Sequence, residues 1–369
     1  MSAPALHIRG QVLVGPEEVL EEVWVVDGVV SLSPPTGAGL DLETIEGYAV
    51  PGLVDAHCHV GLEAHGAVDE ERAEQHALAD RDAGGLLLRD AGSPADTRWV
   101  QEREDLPRLI RAGRHIARTK RYIRNFAWEV EPEDLVEYVR QEARNGDGWV
   151  KLVGDWIDRE TGDLGICWPV DVLTEAIAAA HEEGARVTAH CFGEQSLVDF
   201  AAAGTDCIEH ATGLTDETID IFARQQIAIV PTLINIANFP GFADAGRAKF
   251  PTYADHMMDL YERRFETVAK AREAGVPVYV GTDAGGQLPH GLVAREVEAL
   301  TRTGMSNLEA IGAATWAARE WLGRPGIAEG ESADIVVYRN DPREDVREMA
   351  DPYKVILRGH AHAHSGARG

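Results

Sequence analysis

Short apolar runs alternate with longer helix-like stretches from about residue 50 to residue 323, the pattern of repeated βα units. The runs are "GLVDAHCHV", "GGLLLRDAG", "RYIRN", "GWVKLVG", "ARVTAHC", "TDCIEHA", "IAIVPTL" and "VPVYVGTDAG". Eight such strands are what a closed parallel barrel requires. Between them lie helical segments such as residues 169–184, "PVDVLTEAIAAAHEEG", with proline at the start, Ala and Leu in the body and Gly184 as the stop. The flanks differ. "HIRGQVLVG" and "EEVWVVDGVVSLS" before residue 50, and "ADIVVYRND" and "YKVILRG" after residue 330, are β-rich with no helix between them. The expected architecture is α/β: a (β/α)8 TIM barrel over 51–325, with 1–50 and 326–369 forming a small β-sandwich domain from both chain ends. The alternating His360, His362 and His364 are read as a mobile terminus.

Charge narrows the partners. Lys and Arg total 35 against 62 Asp and Glu, a formal net charge of -27, which repels phosphate backbones and anionic lipid. A small-molecule substrate is expected, with no nucleic acid and no membrane, and a homo-oligomer is compatible with the sequence. No run of about 18 apolar residues occurs and the start lacks a signal-peptide pattern, so a cytoplasmic location is expected. The four cysteines (58, 167, 191, 207) show no CxxC spacing and are read as reduced packing residues.

Candidate chemistry collects where the apolar runs end, the face on which barrels place their active sites. In "LVDAHCHV" the two-residue period puts Asp55, His57 and His59 on one face and Cys58 on the other. A lone histidine pair is weak evidence for metal. With His190, His210 and Asp283 ending other runs it becomes a donor set for zinc or a similar divalent ion. Lys151, in "WVKLVG", cannot ligate a cation as an ammonium. Neutral and buried, it could take up carbon dioxide, and the resulting carbamate could bridge two cations. The alternative is an ordinary ion pair with Asp155 or Asp158.

Taken in order, "VDAHCHV", Lys151, "VTAHC", "CIEHATG" and "VGTDAGG" resemble the amidohydrolase superfamily, in its binuclear branch with a carboxylated lysine, similar to prolidase-like and Xaa-Arg dipeptidase-like members and related to imidazolonepropionase. "PGLVDAHCH", "GMSNLEAIGAATWAAREWLG" and "GESADIVVYRNDP" extend the likeness along nearly the whole chain. The resemblance implies two divalent metal ions: His57, His59 and Asp283 hold the more buried one, His190 and His210 the more exposed one, and carboxylated Lys151 bridges them. It further implies hydrolysis of a C-N amide bond in a dipeptide, an N-acyl amino acid or a similar amide. A metal-bridging hydroxide would attack, with Asp283 as general base and then acid. Tyr122, Trp156 and His290 are candidate substrate contacts.

Two alternatives stand beside this reading. A mononuclear relative would open a cyclic amide or deaminate a heterocycle, although Glu194 lies four residues beyond His190, unlike the deaminase spacing. The other is a metal-bound scaffold without catalysis.

Overall fold

The structure, a computed structural model, describes residues 5–35 and 41–363, so His364 lies outside the described residues. The N-terminal strands β1 (Ala5–Leu13), β2 (Val19–Val26), β3 (Val29–Ser31) and β4 (Leu42–Pro51) precede β5 (Leu53–Glu63), the short β6 (Gly66–Ala67) and helix α1 (Glu70–Asp82). Then come β7 (Gly85–Asp90), β8 (Arg108–Arg111), β9 (Ile116–Arg118), β10 (Trp128–Val130), α2 (Leu135–Asn145) and β11 (Trp149–Val153). A hairpin of β12 (Asp155–Asp158) and β13 (Asp163–Ile166) leads to α3 (Val170–Glu182), β14 (Arg186–Cys191), α4 (Glu194–Ala203), β15 (Cys207–His210), α5 (Asp216–Gln225) and β16 (Ala228–Val230). Helices α6 (Leu233–Ile236), α7 (Phe239–Arg247) and α8 (Pro251–Glu273) precede β17 (Ala284–Gly286), α9 (Val293–Thr301), α10 (Asn307–Ala313) and α11 (Trp316–Trp321). The chain ends in β18 (Ile335–Tyr338), β19 (Lys354–Leu357) and β20 (His360–Ala363).

The fold is mixed α/β. Parallel strands form two sheets, ordered β17-β5-β7-β8 and β10-β9-β11-β14-β15-β16, and the regular ladder does not close into one ring. Single backbone bonds span one gap: Ile229 N donates to Pro277 O and Tyr279 N to Ile229 O, while Ala56 N donates to Val280 O and Thr282 N to His57 O. At the other gap β8 and β9 are interrupted at Gly113, whose φ of 71° no regular strand accommodates. The third strand therefore lies at 108–118, not at "RYIRN". That segment is a turn preceded by Lys120 (φ 63°) and ending at Asn125 (φ 71°), which frees Tyr122 to face a cavity.

The chain ends pair with each other, as expected, in one seven-stranded sheet, β20-β19-β18-β4-β1-β2-β3. One buried cluster (Leu6, Ile8, Val23, Val25, Ile45, Ile335, Val337, Ile356) is drawn from its strands. His360 and His362 pair with Leu357 and Val355 in this sheet and are not a free tail. Helix α3 matches its sequence signals, and Gly184, at φ 78°, follows its end.

Two insertions roof one end of the parallel strands: the β12-β13 hairpin and helices α6 to α8. Their own apolar cluster joins Phe192 to Phe239, Tyr253, Met257 and Leu260, with Ile157 and Leu164 packed against it. His256 of α8 clamps the roof, its Nδ1 2.9 Å from Asp163 of β13 and its Nε2 3.0 Å from Glu194 of α4. The hydrogen bond to Glu194 is the largest cause that raises its pKa to about 9. A raised histidine pKa stabilises the folded state fully below pH 6.5, and that contribution is lost as pH rises through 9. His256→Gln should therefore lower Tm more at pH 6 than at pH 10 in calorimetry; equal losses at both would contradict the clamp.

Candidate metal centre

Strand β5 carries the first two donors, and it does not alternate as simply as its sequence suggests. A register shift between Asp55 and Cys58 lets Val54 and Ala56 pack with Trp149 and Cys207 while Cys58 and Val60 pack outward on Ala73 and Ala77 of α1. Asp55 is thereby separated from the histidines. It accepts from His57 N at 3.1 Å and from Thr282 N and Oγ1 at 3.0 and 2.5 Å, tying β5 to the segment that carries Asp283. Burial pushes its pKa up to about 7.

Three acceptors converge here. His59 Nδ1 donates to Gly92 O at 2.7 Å, which leaves the Nε2 lone pair free in the neutral ring. His57 Nδ1 lies 2.8 Å from Glu209 Oε2, an ion-pair contact not aligned as a hydrogen bond, so its Nε2 is likewise turned inward. The two Nε2 atoms are 3.2 Å apart, and Asp283 Oδ1 is 3.2 Å from the first and 3.0 Å from the second. Electron pairs this close repel unless a cation or proton lies among them. Donors about 2.1 Å from a tetrahedral ion stand about 3.4 Å apart. The triangle is thus close to the size a divalent ion sets, and the donor set suits zinc.

Two glycines allow the approach. A Cβ on Gly281 would lie 2.7 Å from His57 Cβ, and one on Gly285 would lie 2.8 Å from His59 Cβ. Asp283 itself sits at φ 58° and His210 at φ 68°, left-handed conformations that cost energy in non-glycine residues and cluster at functional sites.

The other candidates surround this triangle. His210 is fixed by a 2.7 Å bond from Nδ1 to Thr232 Oγ1, and its ring centre is 5.2 Å from His57 and 4.8 Å from His190. His190 Nε2 is buried without a hydrogen-bond partner among the described residues, 4.0 Å from Asp155 Oδ1. Lys151, 1% exposed, points from β11 into the same interior. Burial lowers its pKa against the opposing pull of Glu209 and Asp283, and its charge disfavours protonation of His57, His59, His190 and His210. The alternative ion pair is absent, since Asp155 accepts from Phe192 N, Gly193 N and Ser196 Oγ while Asp158 pairs with Arg121. Burial would raise the pKa of Asp283, but the facing His57, His59 and His210 hold it well below the usual carboxylate range.

Glu209, Arg89 and Asn235 at the centre were not singled out from sequence. Glu209, fully buried, meets His57, Thr188 Oγ1 and Arg89 Nη2, the last at 2.6 Å. Strand alternation assigns Glu209 and His210 to opposite faces; the left-handed turn at His210 brings both inward. Arg89 in turn donates from Nε to Ala56 O and stacks 4.5 Å from the Trp149 ring. Asn235 Nδ2 donates to Asp283 Oδ2 at 2.7 Å. His115, with both ring nitrogens unpartnered, stacks 4.9 Å from His59.

A cavity of about 450 Å³ opens from His59, His190 and Asp283. Its wall is largely aromatic: Tyr122, Phe126, Trp156, Phe192, Phe242, Phe250 and Tyr253. Tyr122 and Trp156 therefore line it. His290 does not; its Nδ1 is 2.7 Å from Asp80 of α1 and its ring stacks 4.4 Å from His76, docking the loop after β17 onto that helix. Glu194 is engaged by His256 and Arg263 and stands in the roof.

Comparison with known proteins adds three findings. The sequence model described as the amidohydrolase family matches residues 153–361. An uncharacterized protein of Mycobacterium tuberculosis is 56% identical over 358 residues, 97% of this chain and 95% of its own; ochratoxinase of Aspergillus niger is 27% identical over 236 residues, 60% and 47% of the two. Among solved structures, a Xaa-Pro dipeptidase with bound methionine is similar at a TM-score of 0.81 and 22% identity, covering 97% of this chain and 100% of that one. The A. niger ochratoxinase structure is similar at 0.79 and 19%, covering 99% and 97%.

Proposed function

The chain belongs to the amidohydrolase family, and from that premise we propose that it is a metal-dependent hydrolase of amide C-N bonds in dipeptides, N-acyl amino acids or similar small molecules. The observation that carries this reading is the triangle of inward-facing acceptors on His57, His59 and Asp283, whose donor atoms lie within 4.8 Å of one another. His57, His59 and Asp283 would hold one divalent ion and His190 and His210 a second, zinc being the ion that suits these donors. Lys151, as a carbamate, would be shared by both. Its burial without an ion-pair partner among the described residues favours the neutral amine that carbon dioxide attacks. When bound, such ions acidify water and polarise a carbonyl oxygen.

The chain's own groups do the rest. Asp283 takes the proton of the attacking water and delivers it to the leaving nitrogen, so that the amine departs neutral. Asn235 holds Oδ2 of that carboxylate while Oδ1 faces the histidines. Gly92 O and Thr232 fix the rings of His59 and His210, and Glu209, anchored by Arg89, fixes His57. In this reading the two parallel sheets and the 277–282 segment are one (β/α)8 barrel over 51–325, and the sheet of the chain ends is a second domain.

The test is metal removal. Dialysis against dipicolinate should abolish hydrolysis of a panel of dipeptides and N-acyl amino acids, and added zinc should restore it. Turnover that survives complete metal removal would overturn the reading.

A further inference from the structure

The turn that follows β16 carries two of the side chains that hold the centre. Thr232 Oγ1 lies 2.7 Å from His210 Nδ1, and Asn235 Nδ2 donates to Asp283 Oδ2 at 2.7 Å. The short helix α6 fixes the two relative to each other, but its backbone is not self-sufficient. Thr232 stands at its head with φ 46°, a left-handed conformation that strains a β-branched residue and persists only where the surroundings hold it. At the head of a helix a threonine hydroxyl ordinarily accepts from the first N–H groups of that helix. Here it is turned to His210 and makes no such bond.

Those N–H groups are met from elsewhere. Asn235 N and Ile236 N donate to Thr232 O at 2.8 and 3.0 Å, which closes the turn and leaves Leu233 N and Ile234 N. Both donate to one carboxylate, that of Glu296 on α9, at 2.7 Å to Oε1 and 2.9 Å to Oε2. Glu296 is fully buried, and burial pushes its pKa up to about 8 against the pull of these two bonds. A buried acid is costly to retain, and packing alone would be served by leucine or methionine. Neither Glu296 nor Thr232 lines the cavity, so neither meets a substrate there.

Resting on the reading of this centre as an amide-hydrolysing site, we propose that Glu296 is a positioning residue for the reaction: by taking the first two N–H groups of α6 it frees the Thr232 hydroxyl for His210 and sets Asn235 on Asp283. One carboxylate on α9 thereby fixes both the ring of His210 and the orientation of the group that moves the proton.

Two variants test it. Glu296→Gln keeps the size but offers one acceptor oxygen to two N–H groups; Glu296→Asp keeps the charge and falls one methylene short. In the metal-free protein, hydrogen exchange read by mass spectrometry should quicken about tenfold or more in the peptide spanning 232–238 in either variant. With zinc added and rates taken per folded chain, the substrate is the dipeptide or N-acyl amino acid that the wild type hydrolyses fastest. There kcat should fall about tenfold while KM shifts by less than about twofold. Asn235→Ala should cost about as much as Glu296→Gln, and the double variant should lose less than the product of the two single losses, because both act on the same contact. If one Glu296 variant fails to fold, the other carries both readouts. Wild-type exchange at 232–238 overturns the anchor. An undiminished kcat, or a double loss that equals or exceeds the product, overturns the positioning role while amide hydrolysis stands. No amide turnover by the zinc-loaded wild type overturns the underlying reading and the positioning role with it, and hydrogen exchange still decides the anchor.

Discussion

Asp283→Asn is expected to lower kcat by about 10³-fold, the middle of the range for a positioned acid-base group. The substitution preserves shape and the contact with Asn235, which can still reach a side-chain oxygen, but an amide cannot take a proton at the pH of the assay. Asp283 Oδ1 is also 3.0 and 3.2 Å from the two inward Nε2 atoms, so part of the loss should come through weaker metal retention. The two causes separate by measurement. With metal content restored by added zinc, the residual defect in kcat reports proton transfer alone. A variant that regains full activity on metal addition would remove Asp283 from the proton path.

Arg89→Met should destabilise the chain by about 3–5 kcal/mol, because it leaves Glu209 charged and buried without its cation. The pair is fully enclosed, with Arg89 Nη2 2.6 Å from Glu209 Oε1 and neither side chain exposed. Methionine keeps much of the volume beside Trp149, which limits the cavity contribution. The double variant Arg89→Met with Glu209→Leu should recover more than half of the lost stability in urea unfolding, since both buried charges are gone. Activity should not follow, because His57 Nδ1 has lost the carboxylate that turns its Nε2 inward. If the single variant loses less than about 1 kcal/mol, the pair is not the buried anchor described here.

Much of the architecture was legible from periodicity. Six of the apolar runs, beginning at residues 52, 84, 148, 185, 205 and 227, contain the strands that start at 53, 85, 149, 186, 207 and 228, and the helix expected over 169–184 spans Val170–Glu182. Failures occurred where one residue changes the direction of the backbone. Gly113 and the left-handed Lys120 and Asn125 moved the third strand away from "RYIRN". The shift between Asp55 and Cys58 broke the alternation that would have aimed Asp55 with the histidines. The half-apolar strands of the two chain ends do pair with each other, in one hydrogen-bonded sheet.

The candidate site divides in a similar way. His57, His59, Lys151, His190, His210 and Asp283 stand out in sequence because polar side chains closing apolar runs are costly unless used. Glu209 and Arg89 satisfy that same criterion, but period-two alternation sets Glu209 on the face opposite His210. His290 follows Asp283 closely in the chain, but Asp80 and the His76 ring hold it outside the cavity. Asn235 and the aromatic roof come from an insertion after β16 whose approach to the site no local spacing encodes.

In the proposed function Lys151 joins the histidines and Asp283 in holding two ions. Elemental analysis of the purified protein and of Lys151→Ala tests it most directly. Close to two divalent ions per chain are expected in the native protein and no more than one in the variant, with activity lost alongside. One ion per chain in both proteins, with activity indifferent to Lys151, would contradict it.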